Sequence, residues 1–310
     1  LKRNLQTFML AVCLALAVAC GKEAREAERE SVSITITDDR GISVSLQEPA
    51  KRVVCLSPEA GEIICALGKQ EVLVGVVREC DYPPQLSRLP LVGSFSNPSI
   101  ESIASLEPDL TVLTGLEQKS FGERLTSWNI PSASFYARSI ADLYANIDRL
   151  GVLLGAQEEA GSLTRELKAR FAELKRAGEE AALKYGRRRV FVEISPDPIM
   201  TVAEGSFVHE LVELVGAVNI AEQMPREYSR IDPEMVISAD PQVIIILHQM
   251  ADAQMVSARS GFGEISAVVN RRIITDLDPD IILRASPRLI DGGWALFEAI
   301  YPEWRDEENN

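Results

Sequence analysis

Histidine is nearly absent: His209 and His248 are the two in 310 residues, far apart in the chain. That argues against a transition-metal centre built from imidazoles. Cysteine is scarce too. Past residue 20 there remain Cys55, Cys65 and Cys80, an odd number with no C-x-x-C, so neither a zinc site nor a disulfide framework is indicated. Cys55 falls in an apolar strand and Cys65 in an apolar helix, which reads as core packing; one bridge among the three stays open in an oxidising compartment. Basic residues are in deficit, 32 against 46 acidic, for a formal charge of −14. Such a surface repels nucleic acid and anionic lipid, excluding both as partners, but suits a basic protein partner. There is no G-x-S-x-G nucleophile elbow and no cysteine with a convincing histidine partner, so an exported hydrolase finds no support. Gly261-Phe-Gly263 lacks the third glycine and the preceding strand of a dinucleotide loop.

What is present begins at the start. Lys2 and Arg3 precede an apolar run from Phe8 to Ala19, ending Ala17-Val18-Ala19-Cys20. The run is short of the ~20 apolar residues of a membrane span. A positive head, an apolar centre and small residues describe a secretory signal peptide over residues 1–19. The small residues followed by cysteine resemble the lipobox of bacterial lipoproteins, in which Cys20 becomes the first mature residue and carries lipid. The alternative is an ordinary signal peptide with Cys20 incidental. Either way the protein works outside the cytoplasm, in the periplasm or on the outer cell surface; the lipobox adds a membrane anchor. Loss of residues 1–19 takes Lys2 and Arg3 with it and moves the charge from −14 to −16.

Residues 20–31 hold no large apolar side chain after the cysteine, and read as a solvated tether. Residues 32–50 alternate about Asp38-Asp39-Arg40-Gly41, a β-hairpin leading in. Strands then alternate with helices through 51–150: strand Val53–Leu56, helix Pro58–Leu67, strand Val72–Val77, helix Ile100–Leu106, strands Leu110–Leu113 and Ala133–Tyr136. The alternation argues for parallel α/β layers. From Ile140 apolar residues recur every three or four positions, through Leu163, Leu167, Phe171 and Leu174, to Tyr185-Gly186. Residues 151–186 are expected to form one long helix bracing the lobe at 51–150 against a second α/β lobe at 187–310. An echo relates the lobes: Glu101-Ser-Ile-Ala-Ser-Leu-Glu-Pro108 and Glu234-Met-Val-Ile-Ser-Ala-Asp-Pro241 align without a gap, each running into a buried strand.

Several blocks occur in a fixed order: Val53 to Gly68, Val74-Gly-Val, Cys80-Asp-Tyr-Pro-Pro84, Val92-Gly-Ser-Phe95-Ser-Asn-Pro98, Glu101 to Leu110, and Arg284-Ala-Ser-Pro-Arg288. Over residues 50–302 the set resembles the substrate-binding proteins of ABC importers for cobalamin and ferric siderophores, most of all the cobalamin-type branch. The resemblance implies two Rossmann-like lobes with central parallel sheets, a rigid joining helix, and a ligand held in the cleft between the lobes. It implies a monomer without enzymatic activity, a membrane permease with its ATPase as partner, and a metal chelate, corrinoid first and ferric siderophore or haem second, as ligand.

Strand-end loops converge on such a cleft, which places Ser57, Pro58, Glu59 and Tyr136 at its border. Of the family's aromatic positions, Phe95 and Tyr228 are matched here; Glu79 stands where a Tyr is usual, Thr114 near a usual Trp, and Ile281 replaces another aromatic. Tyr82 either closes its turn or touches ligand. Arg284 either pairs with an anionic ligand group or holds the last loop. Haem would need an axial ligand from Tyr136, Tyr228 or His248. The family's permease-docking glutamates match Glu101 and Glu234, whose places in first helical turns also suit a carboxylate electrostatically. No metal is expected to be bound by the chain itself, and no cofactor beyond the lipid at Cys20.

Overall fold

The computed structural model describes residues 33–304, apart from 116–117 and 251. The expected signal peptide, Cys20 and the tether lie outside the described residues. The chain enters through strands β1 (Ile34–Thr37) and β2 (Ser43–Leu46), an antiparallel hairpin with Ile34 opposite Leu46. Its turn is held by Asp38, whose carboxylate accepts from the backbone N–H of Arg40 at 2.9 Å and of Ile42 at 3.0 Å. The same carboxylate accepts from the N–H of Ser134 at 3.0 Å, and Asp39 pairs with Arg149 at 2.7 Å. Both contacts strap the hairpin to the first lobe.

That lobe runs β3 (Val53–Cys55), α1 (Pro58–Ala66), β4 (Leu73–Val76), the short β5 (Gly93–Ser94) and β6 (Asn97–Pro98), α2 (Ile100–Ser105), β7 (Leu110–Thr114), α3 (Lys119–Ser127) and β8 (Ser132–Phe135). The sheet order is β4-β3-β7-β8, every pair parallel. Each residue of β3 and β7 is buried, as expected for strands covered on both faces.

Helix α4 (Ile140–Leu154) opens on a capping box between Ser139 and Asp142 and closes at Gly155, where φ is +62°. The apolar stripe reads as continuous helix, but the left-handed turn at Gly155 splits it. Residues 151–154 therefore belong to α4, and the bracing helix α5 runs Gln157–Tyr185. Its 29 residues span about 43 Å. Gly178 sets its seat on the second lobe: a Cβ there would fall 2.5 Å from the Leu214 carbonyl oxygen and 2.6 Å from the Val215 carbonyl carbon. Only glycine lets the two backbones meet.

The second lobe comprises β9 (Arg189–Pro196), β10 (Ile199–Val202), α6 (Phe207–Leu214), β11 (Val218–Asn219), β12 (Tyr228–Arg230), α7 (Pro233–Ala239), β13 (Val243–Ile246), α8 (Ala253–Ser257), α9 (Ser266–Val269), β14 (Ile273–Ile274), α10 (Pro279–Leu283) and α11 (Leu289–Ile300). Its sheet runs β12-β10-β9-β13-β14, with β11 also on β9. The pairs of β9 with β11 and β13, and of β13 with β14, are parallel. Strands β10 and β12 add an antiparallel edge that strand–helix alternation does not announce. That edge carries Tyr228.

The echo between lobes extends to the backbone. Glu107 and Asp240, which align, both take left-handed φ, +46° and +45°. Arg52, preceding β3, donates to the carbonyls of Leu106 at 2.6 Å and Glu107 at 3.1 Å. Arg189, at the matching place in β9, donates to those of Ala239 at 3.1 Å and Asp240 at 2.7 Å. Each guanidinium thus satisfies the carbonyls left open at the end of a helix. No described helix is long and apolar enough to cross a membrane, and Cys55, Cys65 and Cys80 are free thiols.

Candidate functional site

Helix α1 begins at the end of β3. Ser57 is its N-cap, fully buried, accepting from the N–H of Ala60 at 3.2 Å, and Pro58 occupies the first turn. Ser57 and Pro58 therefore shape the loop from within. Glu59 projects from that turn, and the hydroxyl of buried Thr114, the last residue of β7, donates to its carboxylate. Gln118 ties this corner together. Its side-chain oxygen accepts from the N–H of Thr114 at 3.0 Å, while its amide donates to the carbonyls of Leu56 at 3.1 Å and Phe95 at 3.2 Å. From the other side, the N–H of Phe95 donates to Glu79 at 2.7 Å. Glu79 thereby fixes the Phe95 loop.

These groups form one wall of a cavity of about 370 Å³ between the lobes. Glu59, Phe95, Thr114 and Tyr136 come from the first lobe; Phe207, Glu227 and Tyr228, with Leu283 and Ala285, come from the second. Across the cavity the Tyr136 hydroxyl donates to Glu227 at 2.7 Å. Arg138 approaches the other Glu227 oxygen at 3.5 Å from the rim. Burial, reinforced by the carboxylate of Glu227, holds the Tyr136 phenol far above its ordinary pKa, so it stays a donor. Tyr136 also lines a neighbouring cavity of about 380 Å³, and Glu227 and Tyr228 line another of about 440 Å³. The Tyr136–Glu227 bridge partitions a longer groove.

Tyr82 and Arg284 stand elsewhere. Arg284 pairs with Asp81 at 2.8 Å, Asp280 at 2.8 Å and Glu62 at 3.4 Å. Among the described residues neither a backbone carbonyl nor the cavity takes up its guanidinium. Beside it Arg288 donates twice to Glu62, at 2.8 and 2.6 Å, and the Ser286 hydroxyl once at 2.7 Å. The Tyr82 ring lies beneath Arg288, 3.6 Å from ring centre to guanidinium carbon. This network joins the lobes through side chains that do not line the cavity. Glu62, an acid inside the apolar run of α1, was the available sequence signal, because a buried carboxylate must find cations.

Glu101 and Glu234 are exposed in the first turns of α2 and α7, after N-caps Ser99 and Asp232. They occupy equivalent places on the two lobes. His248 is held at 3.1 Å by Glu193, itself fully buried and paired with Arg259; it does not line the cavity. Among the described residues no group of three or more His, Cys, Asp or Glu is placed to hold a metal ion.

Comparison with known proteins agrees with this architecture. A family model described as periplasmic binding protein matches residues 53–280. An ABC transporter substrate-binding lipoprotein of Bacillus subtilis, YvrC, itself uncharacterized, is 28% identical over 305 residues, 95% of this chain and 96% of its own. The periplasmic vitamin B12-binding protein BtuF of Vibrio cholerae shares 26% identity at a TM-score of 0.70, covering 81% of this chain and 96% of that one. A possible iron-binding periplasmic protein of Staphylococcus epidermidis is also 26% identical, with a TM-score of 0.72 over 82% of this chain and all of that one, 100%. Two lobes, a shared cavity and a family match across most of both lobes carry one conclusion: the chain belongs to the periplasmic binding protein family, the non-enzymatic substrate-binding components of ABC transporters.

Proposed function

We propose that this protein is the extracytoplasmic, lipid-anchored solute receptor of an ABC importer, and that it captures a corrinoid between its lobes and delivers it to a permease. The observation that carries this reading is the convergence of Phe95, Tyr136 and Tyr228 from opposite lobes on one cavity with polar edges. A corrin is a broad, partly apolar disc rimmed by amides. Aromatic rings cover such faces at small entropic cost, and carboxylates and hydroxyls accept from the rim. A disc of that size exceeds about 370 Å³, so entry breaks the Tyr136–Glu227 bond and merges neighbouring parts of the groove. The likeness to a vitamin B12-binding protein supports a corrinoid. The likeness to a possible iron-binding protein makes a ferric chelate the second reading. Anchoring through Cys20 and docking through Glu101 and Glu234 belong to the same proposal.

The experiment is equilibrium dialysis of the mature protein against cobalamin, cobinamide, haem and ferric chelates. Saturable one-to-one binding of a corrinoid at sub-micromolar concentration is expected. Saturable binding of haem or a ferric chelate, with neither corrinoid retained, would replace the ligand and leave the receptor role standing.

A further inference from the structure

The cavity between the lobes has a one-sided charge. Its central chamber is lined by two carboxylates, Glu59 and Glu227, and by no lysine or arginine among the described residues, whereas Arg40, Arg138 and Arg226 line the neighbouring chambers of the groove. Glu227 is partly offset by the Tyr136 hydroxyl and by Arg138 at 3.5 Å. Glu59 receives the Thr114 hydroxyl, a neutral donor, and no ion pair joins it among the described residues. The nearest cation along the chain from the cavity residues Leu283 and Ala285 is Arg284, and its guanidinium is taken by Asp81, Asp280 and Glu62. The position of Glu59 sharpens the point. Helix α1, nine residues long, directs its N-terminal turn at the cavity, and such a turn ordinarily welcomes an anionic ligand. Here the chain's own carboxylate already stands there.

We infer that Glu59 is a charge-selecting residue. It makes the cavity accept a neutral or cationic chelate whose edge presents N–H donors, and reject chelates edged with carboxylate, catecholate or phosphate. An anionic edge brought against Glu59 meets like charge in a half-enclosed space, a penalty that specificity commonly exploits. An amide edge instead gives the carboxylate a charge-assisted hydrogen bond. The inference rests on the reading of this groove as a metal-chelate site and names the chemistry of what enters it.

The test uses one ring with two edges: cobinamide, and the same corrin with its edge amides hydrolysed to carboxylates, with a ferric tris-catecholate as a third probe. Affinities are measured by dialysis on the mature protein and on Glu59→Gln. The wild type should bind the amide form at least about tenfold more tightly than the acid form, and Glu59→Gln should shrink that ratio severalfold, mainly by tightening the acid form. A second readout needs no variant: in the wild type the ratio should also fall at ~1 M salt, where the screening length is ~3 Å. Equal wild-type affinity for both edges, or a ratio unmoved by both salt and the substitution, overturns the charge selection while leaving a corrinoid receptor intact. Tight retention of the ferric tris-catecholate with neither corrin bound overturns the selection and the corrinoid reading together.

Discussion

Glu62 and Arg288 form a two-point ion pair across the lobes, with N–O distances of 2.8 and 2.6 Å and 2% of the glutamate side chain exposed. The bonds to Glu62 are the main reason the Arg288 guanidinium holds its proton more tightly than usual. Removing one partner of such a pair strands a buried charge, and Arg284 at 3.4 Å is poorly placed to compensate. Arg288→Ala is therefore expected to lower the unfolding free energy by about 3–5 kcal/mol, read from urea denaturation. The double variant Glu62→Gln with Arg288→Met should recover part of that loss. A single variant as stable as the wild type would remove the pair from the account of what fixes the lobes.

Alkaline pH should loosen the fold through buried phenols. Burial raises the pKa of Tyr144, to about 12, and that of Tyr136 further, with Glu227 adding in the second case. Unfolded phenols ionise near pH ~10. Above that the unfolded state gives up protons the folded state keeps, so stability is fully present below pH ~10 and falls as pH rises further. Tyr136→Phe should flatten that fall between about pH 10 and about pH 11, as measured by denaturation at each pH.

Docking and ligand capture should separate. Glu101→Ala combined with Glu234→Ala removes one exposed carboxylate from each lobe and touches no residue lining the cavity. Uptake in cells is expected to be abolished while the dialysis affinity of the purified protein is unchanged. Normal uptake by the double variant would place the permease contact elsewhere.

The thiols should be quiet. Burial first, then the nearby Glu62, pushes the Cys65 thiol up to about 11, while Cys55 and Cys80 are buried. Since the thiolate is the reacting form, alkylation of native Cys65 near pH ~8 should run ~100-fold slower than that of a free thiol. Mass spectrometry should count all three as alkylatable only after denaturation under non-reducing conditions.

Where local pattern decides structure, the sequence was a sufficient guide. The alternation from Val53 to Phe135 produces the parallel sheet, and the echo around Pro108 and Pro241 marks helices at equivalent places in the two lobes. Features set by backbone geometry or by distant pairing were harder to read. Gly155 splits the long helix because one left-handed residue outweighs a continuous apolar stripe. Strands β10 and β12 are three or four residues long, too short to carry a period. In the site, Phe95 and Tyr228 were legible as aromatics at matched positions, and Glu59 and Tyr136 as strand-end residues. Glu227 was not, since an acid beside an edge-strand tyrosine gains meaning only once Tyr136 is brought across to it. Gln118 was equally silent: its three bonds join residues up to 62 positions apart.

Hydrogen exchange of the mature protein with and without cobinamide tests the central claim most directly. A ligand clasped between the lobes should slow exchange together in the segments carrying Phe95, Tyr136 and Tyr228, which lie on both sides of the cavity. Protection confined to one lobe, or found only away from these three segments, would contradict it.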